Sequence, residues 1–254
     1  MGYYYLAHQN ARGIFKTALG SELISRNFIY NAKHKYWYRL TDGGIIQFVG
    51  LYGNSGGYYY INYLCQPIFV PISLPFYEEC RGRAPGMSLI NVTSYMYAMW
   101  KNGTLDVKIL PLIQASDSQN NEETIRQHMS ISFNVVVRKD IDEIIDVETC
   151  LRAHKRQVVT LSSLSASEES RKEMLLSADD ITVLSLLSMH RYREAENVII
   201  QDRMMVKKHG IESSFYDKYL PYLDDDIKTD NLISEYKSAN MKLLAKDGFF
   251  SDMM

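Results

Sequence analysis

No stretch of this sequence approaches the roughly 18 uncharged apolar residues that a bilayer-crossing helix needs. Its start, MGYYYLAHQN, has neither the basic stretch nor the apolar core of a secretory signal, and no Ser or Thr stands where a myristoylation signal needs one. Cysteine is scarce: Cys65, Cys80 and Cys150 are odd in number, widely spaced and without a CxxC, which argues against a disulfide framework and a zinc site. A reducing cytoplasm is therefore the expected location, and the sequons Asn91-Val92-Thr93 and Asn102-Gly103-Thr104 carry no meaning there. Phosphate-binding glycine loops are missing, and the 6 histidines are scattered, with no HExxH. These absences predict no cofactor, no metal and no membrane association. Neither sign of charge dominates, with 28 Lys and Arg against 30 Asp and Glu.

What the sequence does have is concentrated in Lys35 to Cys65, KYWYRLTDGGIIQFVGLYGNSGGYYYINYLC. Tyr36 to Leu40, Ile45 to Tyr52 and Tyr58 to Cys65 are rich in aromatic and β-branched residues. Asp42-Gly43-Gly44 and Gly53-Asn54-Ser55-Gly56-Gly57 separate them with residues that accept positive φ, so the stretch predicts a three-stranded antiparallel meander. A five-residue second loop would pair Tyr52 with Tyr58, Gly50 with Tyr60 and Phe48 with Asn62. Neither face is polar, which predicts a sheet covered on both sides or one that meets a partner.

Before the meander, Ile14, Phe15, Ala18, Leu19 and Leu23 within Ala11 to Ser25 fall at spacings of three and four, an amphipathic helix to pack on the sheet. After it, Pro67, Pro71 and Pro75 mark an extended crossing segment. Met87 to Met96, Leu105 to Leu110 and His128 to Val137 read as further strands, with an Asn102-Gly103 turn ahead of Leu105 that predicts a further hairpin, and Gln114 to Glu123 as a polar loop. From residue 140 the period changes to that of helices: Asp142 to Lys155, a helix capped by Asp179-Asp180, Tyr192 to His209, Ser213 to Tyr222 and Ile227 to Lys246, with Leu161 to Ser170 as a serine-rich connection. Charge divides at the same place, since residues 1 to 139 hold 13 basic and 8 acidic residues and residues 140 to 254 hold 15 and 22. Tyrosine divides too, with 14 of 19 before residue 100. The expectation is an α+β protein: an antiparallel-sheet domain over 1–139 with its N-terminal helix packed on the sheet, then a mostly helical region over 140–254.

Lys35-Tyr36-Trp37-Tyr38-Arg39, Gly44-Ile45-Ile46-Gln47, Gly57-Tyr58-Tyr59-Tyr60-Ile61-Asn62 and Cys80-Arg81-Gly82-Arg83, following the helix at Ala11 to Ser25, resemble a family of mostly bacterial proteins catalogued as domain of unknown function number 4304. The resemblance covers about the first 140 residues. It implies an α+β fold with an antiparallel sheet, and no activity.

Gly53-Asn54-Ser55-Gly56-Gly57 spells G-x-S-x-G and is similar to the nucleophile loop of chymotrypsin-type proteases. A hydrolase elbow runs from strand through a sharp turn into a helix, whereas Tyr58 to Cys65 has strand composition. Only His8, His34 and Asp42 precede Ser55 as triad partners, so the string reads as a hairpin turn. Asp224-Asp225-Asp226 lacks the spaced oxygens of a calcium loop and precedes a helix, where acids cap the N-terminus. The candidates for binding are Trp37, Arg39, Gln47, Tyr59, Asn62, Arg81 and Arg83, because polar groups set in apolar strands must find partners. With tyrosine in excess and no catalytic constellation, the sequence points to a non-enzymatic module that binds another protein, for example an immunity or antitoxin-like factor. The alternatives are a serine hydrolase using Ser55 and single-stranded nucleic-acid binding around Trp37, the latter disfavoured by the lack of a continuous basic stripe.

Overall fold

A computed structural model describes residues 3–53, 58–72, 90–105, 113–114 and 122–250. The fold is α+β, and the chain divides into two compact units. One comprises residues 1–42, 46–65 and 72–145; the other comprises 43–45, 66–71 and 146–254.

The first unit is built on the meander. Helix α1 (Tyr3–Ile24) buries Ala11, Ile14, Phe15, Leu19 and Leu23, the stripe that the spacing predicts. Strands β1 (Ile29–Asn31), β2 (Tyr36–Leu40), β3 (Ile45–Gly53), β4 (Tyr58–Pro67) and β5 (Ile90–Asn91) lie side by side in chain order. A sixth, β6 (Ile113–Gln114), pairs with the start of β4 through Tyr58 and Tyr59, and falls at the edge of the expected polar loop. Strands β2 and β3 pair antiparallel from Tyr36 opposite Gly50 to Leu40 opposite Ile46, leaving a connection in which Gly44 supplies the left-handed residue at φ +77°. The expected register between β3 and β4 turns on loop residues outside those described. Tyr36, Trp37 and Tyr38, which alternate between faces, are all buried, as is every residue from Ile45 to Leu51, so both faces of the sheet are covered.

Three expected strands fare differently. The expected strand Met87 to Met96 is instead the short β5 followed by helix α2 (Val92–Lys101). Val92, Tyr95 and Met96 make one buried helical face, and Gly103 at φ +70° follows the helix rather than turning a hairpin. Leu105 to Leu110 lies almost wholly outside the described residues. His128 to Val137 is a helix: α3 (Glu122–Ser132) runs through a π-helical turn, Phe133–Val137, into α4 (Arg138–Glu143). Its β-branched residues suggest a strand, but Met129, Phe133, Val136, Val137 and Ile141 are buried at helical spacing, and packing overrides propensity. Helix α3 packs along α1.

The second unit is helical. Its helices are α5 (Val147–Ser162), α6 (Glu168–Leu176), α7 (Asp180–Ser188), α8 (Tyr192–Lys208) and α9 (Asp226–Lys246), with a 3₁₀ segment at Phe215–Tyr222. The expected serine-rich connection narrows to residues 163–167, because α5 runs to Ser162 and α6 begins at Glu168; Ser167 caps α6 through the Ser170 N–H, and α6 buries none of its residues. Ile144 breaks the expected helix 142–155 at ψ 78°, and Asp146 then caps α5 in a reciprocal bond with Thr149. Helix α7 is buried on every side from Thr182 to Leu187, and Val183, Leu184, Leu186 and Leu187 make it the centre of this unit's core. Gly210 and Gly248, both at φ +78°, follow α8 and α9.

Candidate functional site

Arg39 on β2 stands opposite Gln47 on β3, so both side chains leave the same face of the sheet. That face meets the end of α4, whose last carbonyls have no helical partner. Gln47, fully buried, donates through Nε2 to the Ile144 carbonyl at 2.7 Å and the Ile141 carbonyl at 3.1 Å. Arg39 donates to Gln47 Oε1 at 2.6 Å, to the Arg26 carbonyl at 2.7 Å and to the Ile141 carbonyl. Thr41 adds a bond from its hydroxyl to the Ile145 carbonyl at 2.7 Å. A guanidinium and an amide thus finish a helix C-terminus, where donors and positive charge are favoured. Burial lowers the Arg39 pKa, while the charge of Asp142 opposes that effect.

Arg26 pairs with Asp142 through two bonds, of 2.7 and 3.1 Å, and with Glu22 at 2.9 Å. The Asp142 bond is the main cause of its raised pKa. Tyr63 on β4 donates to the buried carboxylate of Asp140, and burial first, then that carboxylate, push the phenol's pKa well up. Asp140 and Asp142 have no signal in the sequence, because Tyr63 and Arg26 lie many residues away along the chain; only the pair of Glu22 with Arg26, four residues apart, is local.

Of the other expected residues, Trp37 is 3% exposed, with its ring over Gly20 and 5.0 Å from that of Tyr30, so it presents no platform for a base to stack on. Asn62 is buried on β4 opposite Asn91. Tyr59 stands on the same strand opposite Ile113. Ser55, Arg81 and Arg83 lie outside the described residues. The structure therefore joins Arg39 to Gln47 and to neither Trp37 nor Asn62.

In the second unit, Cys150 and His154 lie one turn apart on α5, and His154 Nε2 is 2.9 Å from Asp179 Oδ2. The string looks like a nucleophile with its base, but burial pushes the Cys150 thiol up to about 12, the reverse of activation. Among the described residues no three His, Cys, Asp or Glu side chains are placed to hold a metal ion.

Exposed groups offer more in the first unit. Tyr97 and Trp100 on α2 are 45% and 51% exposed, with ring centroids 6.1 Å apart. Their i, i+3 spacing puts them on one face, opposite Val92, Ala98 and the rest of the helix's buried side. Two large aromatics held side by side in water are a strong feature for contact with another molecule. Reading this stretch as a strand and a hairpin hides the pair, since only helical spacing brings residues 97 and 100 together. No family model, curated protein or solved structure matches the chain.

Proposed function

We propose that the protein is a non-enzymatic protein-interaction module and that Tyr97 and Trp100 belong to its contact face. The observation that carries this reading is the exposure of that pair on a helix whose other side is anchored in the core. Trp and Tyr supply much of the energy at protein interfaces, because each buries a large area at small cost in conformational freedom. By contrast, Arg39 and Gln47 are spent on a helix end, which accounts for them without a ligand. The resemblance of about the first 140 residues to the family of unknown function is part of the proposal, and it adds a fold rather than an activity.

The test is affinity capture from the native host with the full chain and with its Tyr97→Ser, Trp100→Ser double variant. A stoichiometric partner retained by the first and lost by the second is the expected result. Equal retention by both, or no partner for either, overturns the proposal. The narrower form, an immunity or antitoxin-like factor, requires in addition that the captured partner be toxic when expressed alone.

A further inference from the structure

Helix α1 carries Arg12, Lys16 and Gly20 in a row at i, i+4 spacing. Trp37 of β2 packs on Gly20, with its Cζ2 3.6 Å from where a Cβ would stand. Tyr30 of β1 is opposite Trp37 in the strand pair, and the two ring centres are 5.0 Å apart. Lys16 Nζ lies 4.8 Å from the centre of the Tyr30 ring. Arg12 is near enough to act on the same phenol: burial raises the Tyr30 pKa, and the positive charge of Arg12 opposes that rise. Two cations and an indole thus gather round one tyrosine.

The donors of this cluster are unspent. Trp37 Nε1 and Arg12 Nε are both buried, and neither has a hydrogen-bond partner. Nor do Arg12 and Lys16 make an ion pair among the described residues. Glu22, the one acid in the first 41 residues, is bound to Arg26, and Glu123 lines the other flank of α1 with Thr17 and Ala18. Buried donors normally find acceptors, so these two mark a place where an acceptor from outside the chain belongs. We propose that Arg12, Lys16 and the indole N–H of Trp37 bind a phosphate group. The indole nitrogen can only donate, and a phosphate brings three strong acceptor oxygens. Its two negative charges balance both cations, where a carboxylate balances one. Entry requires movement of side chains alone: Tyr30 stands half-buried on the three-residue edge strand β1, and Lys16 is exposed on a flexible stem that closes over the group from the solvent side. The face of the Trp37 ring is covered, so its nitrogen serves the phosphate and its ring holds no base. This site lies within the first unit and does not depend on Tyr97 or Trp100.

The test follows the indole N–H signals of the full chain by proton–nitrogen NMR. The sequence has 2 tryptophans, and a spectrum of Trp100→Phe assigns the signal of Trp37. Inorganic phosphate, phenyl phosphate, acetate and chloride are each titrated at constant ionic strength and about pH 8, where phosphate is dianionic. The Trp37 signal should move downfield and saturate with a phosphate, and should show no saturable shift with acetate or chloride. Affinity should fall at least about tenfold for Lys16→Gln and for Arg12→Gln. Lys16 is exposed, so its variant decides the matter even where Arg12→Gln fails to fold. Tighter binding of phenyl phosphate than of inorganic phosphate assigns the group to an ester, and the reverse assigns it to the free ion; both support the site. An unmoved Trp37 signal, equal saturable shifts with acetate and phosphate, or phosphate binding that ignores the substitutions overturns the proposal.

Discussion

The ring of Tyr36 lies across the bare Cα of Gly50, its partner on the neighbouring strand. A Cβ added to Gly50 would stand 2.8 Å from Cζ of that ring and nearer still to Cδ1 and Cε1. Tyr36 is 1% exposed, and interiors are packed too densely for a buried ring to shift at no cost. Gly50→Ala should therefore cost on the order of 1–3 kcal/mol or more in urea unfolding, as overpacking does. Because the clash needs both side chains, the Tyr36→Ala, Gly50→Ala double variant should lose clearly less than the sum of the single losses.

The second prediction concerns the helix end held by the sheet. Gln47→Leu keeps the volume but takes donors from two carbonyls and an acceptor from Arg39. Each buried polar group so stranded costs about 1–3 kcal/mol, and amide exchange over residues 141–145 should quicken before the rest of the unit loosens. Arg39→Lys should also destabilise, since an ammonium cannot reach Gln47, Arg26 and Ile141 in one plane as the guanidinium fork does.

The meander and the helical half are legible in the sequence because their signals are local. Gly44, Gly210 and Gly248 mark turns or helix ends where φ is positive, and Asp179 caps α7 through the Thr182 N–H as its position before an apolar run implies. The stretch at 128–137 is not legible, because Val135, Val136 and Val137 favour strands and only the buried face that Val136 and Val137 share with Phe133 and Ile141 makes the stretch helical. The candidate residues were half legible. That Arg39 and Gln47 need partners follows from their apolar strands, but those partners are carbonyls about a hundred residues away, and no local pattern encodes them.

Acid should weaken the second unit partly through Asp179. Burial works to raise its pKa, but the hydrogen bond and charge of His154, with the bonds from Thr182, outweigh burial and leave it below the usual carboxylate value. A carboxylate with a lower pKa folded than unfolded stabilises above the unfolded value, near 4, and loses that contribution as pH falls through the folded one. Asp179→Asn keeps an N-cap oxygen and removes the charge. It should melt lower than the unsubstituted chain near neutral pH, with the gap closing between about pH 5 and pH 3. A gap that stays constant or widens in acid would show that the charge is not what matters.

Cys150 should behave as an inert core residue. Its thiol is buried, and burial holds its pKa near 12, so almost no thiolate is present at neutral pH. In a chain with Cys80→Ser, iodoacetamide should modify the half-buried Cys65 while leaving Cys150 unmodified until denaturant is added. Peptide mass mapping distinguishes the two sites, and early alkylation of Cys150 would contradict its burial.

Asn240 on α9 donates its side-chain amide to the carbonyls of Ile68 and Val70, each at 2.7 Å, and so ties residues 66–71 into the helical unit to which they belong. Phe69 and Val70 enter that unit's core beside Val183 and Leu187, so the two bonds locate residues 68–71, which follow β4 and have no helix or strand of their own. Asn240→Leu has similar volume, yet it leaves two buried carbonyls without these donors, for a loss of about 1–3 kcal/mol for each one that finds no other partner. Asn240→Asp should be the worse of the two, because it turns an anion toward the same carbonyl oxygens where the amide donated. Cleavage by a broad-specificity protease between residues 66 and 71 should accelerate in the order native, leucine variant, aspartate variant. If the aspartate variant is cut more slowly than the leucine variant near neutral pH, the amide's donation is not what holds this segment.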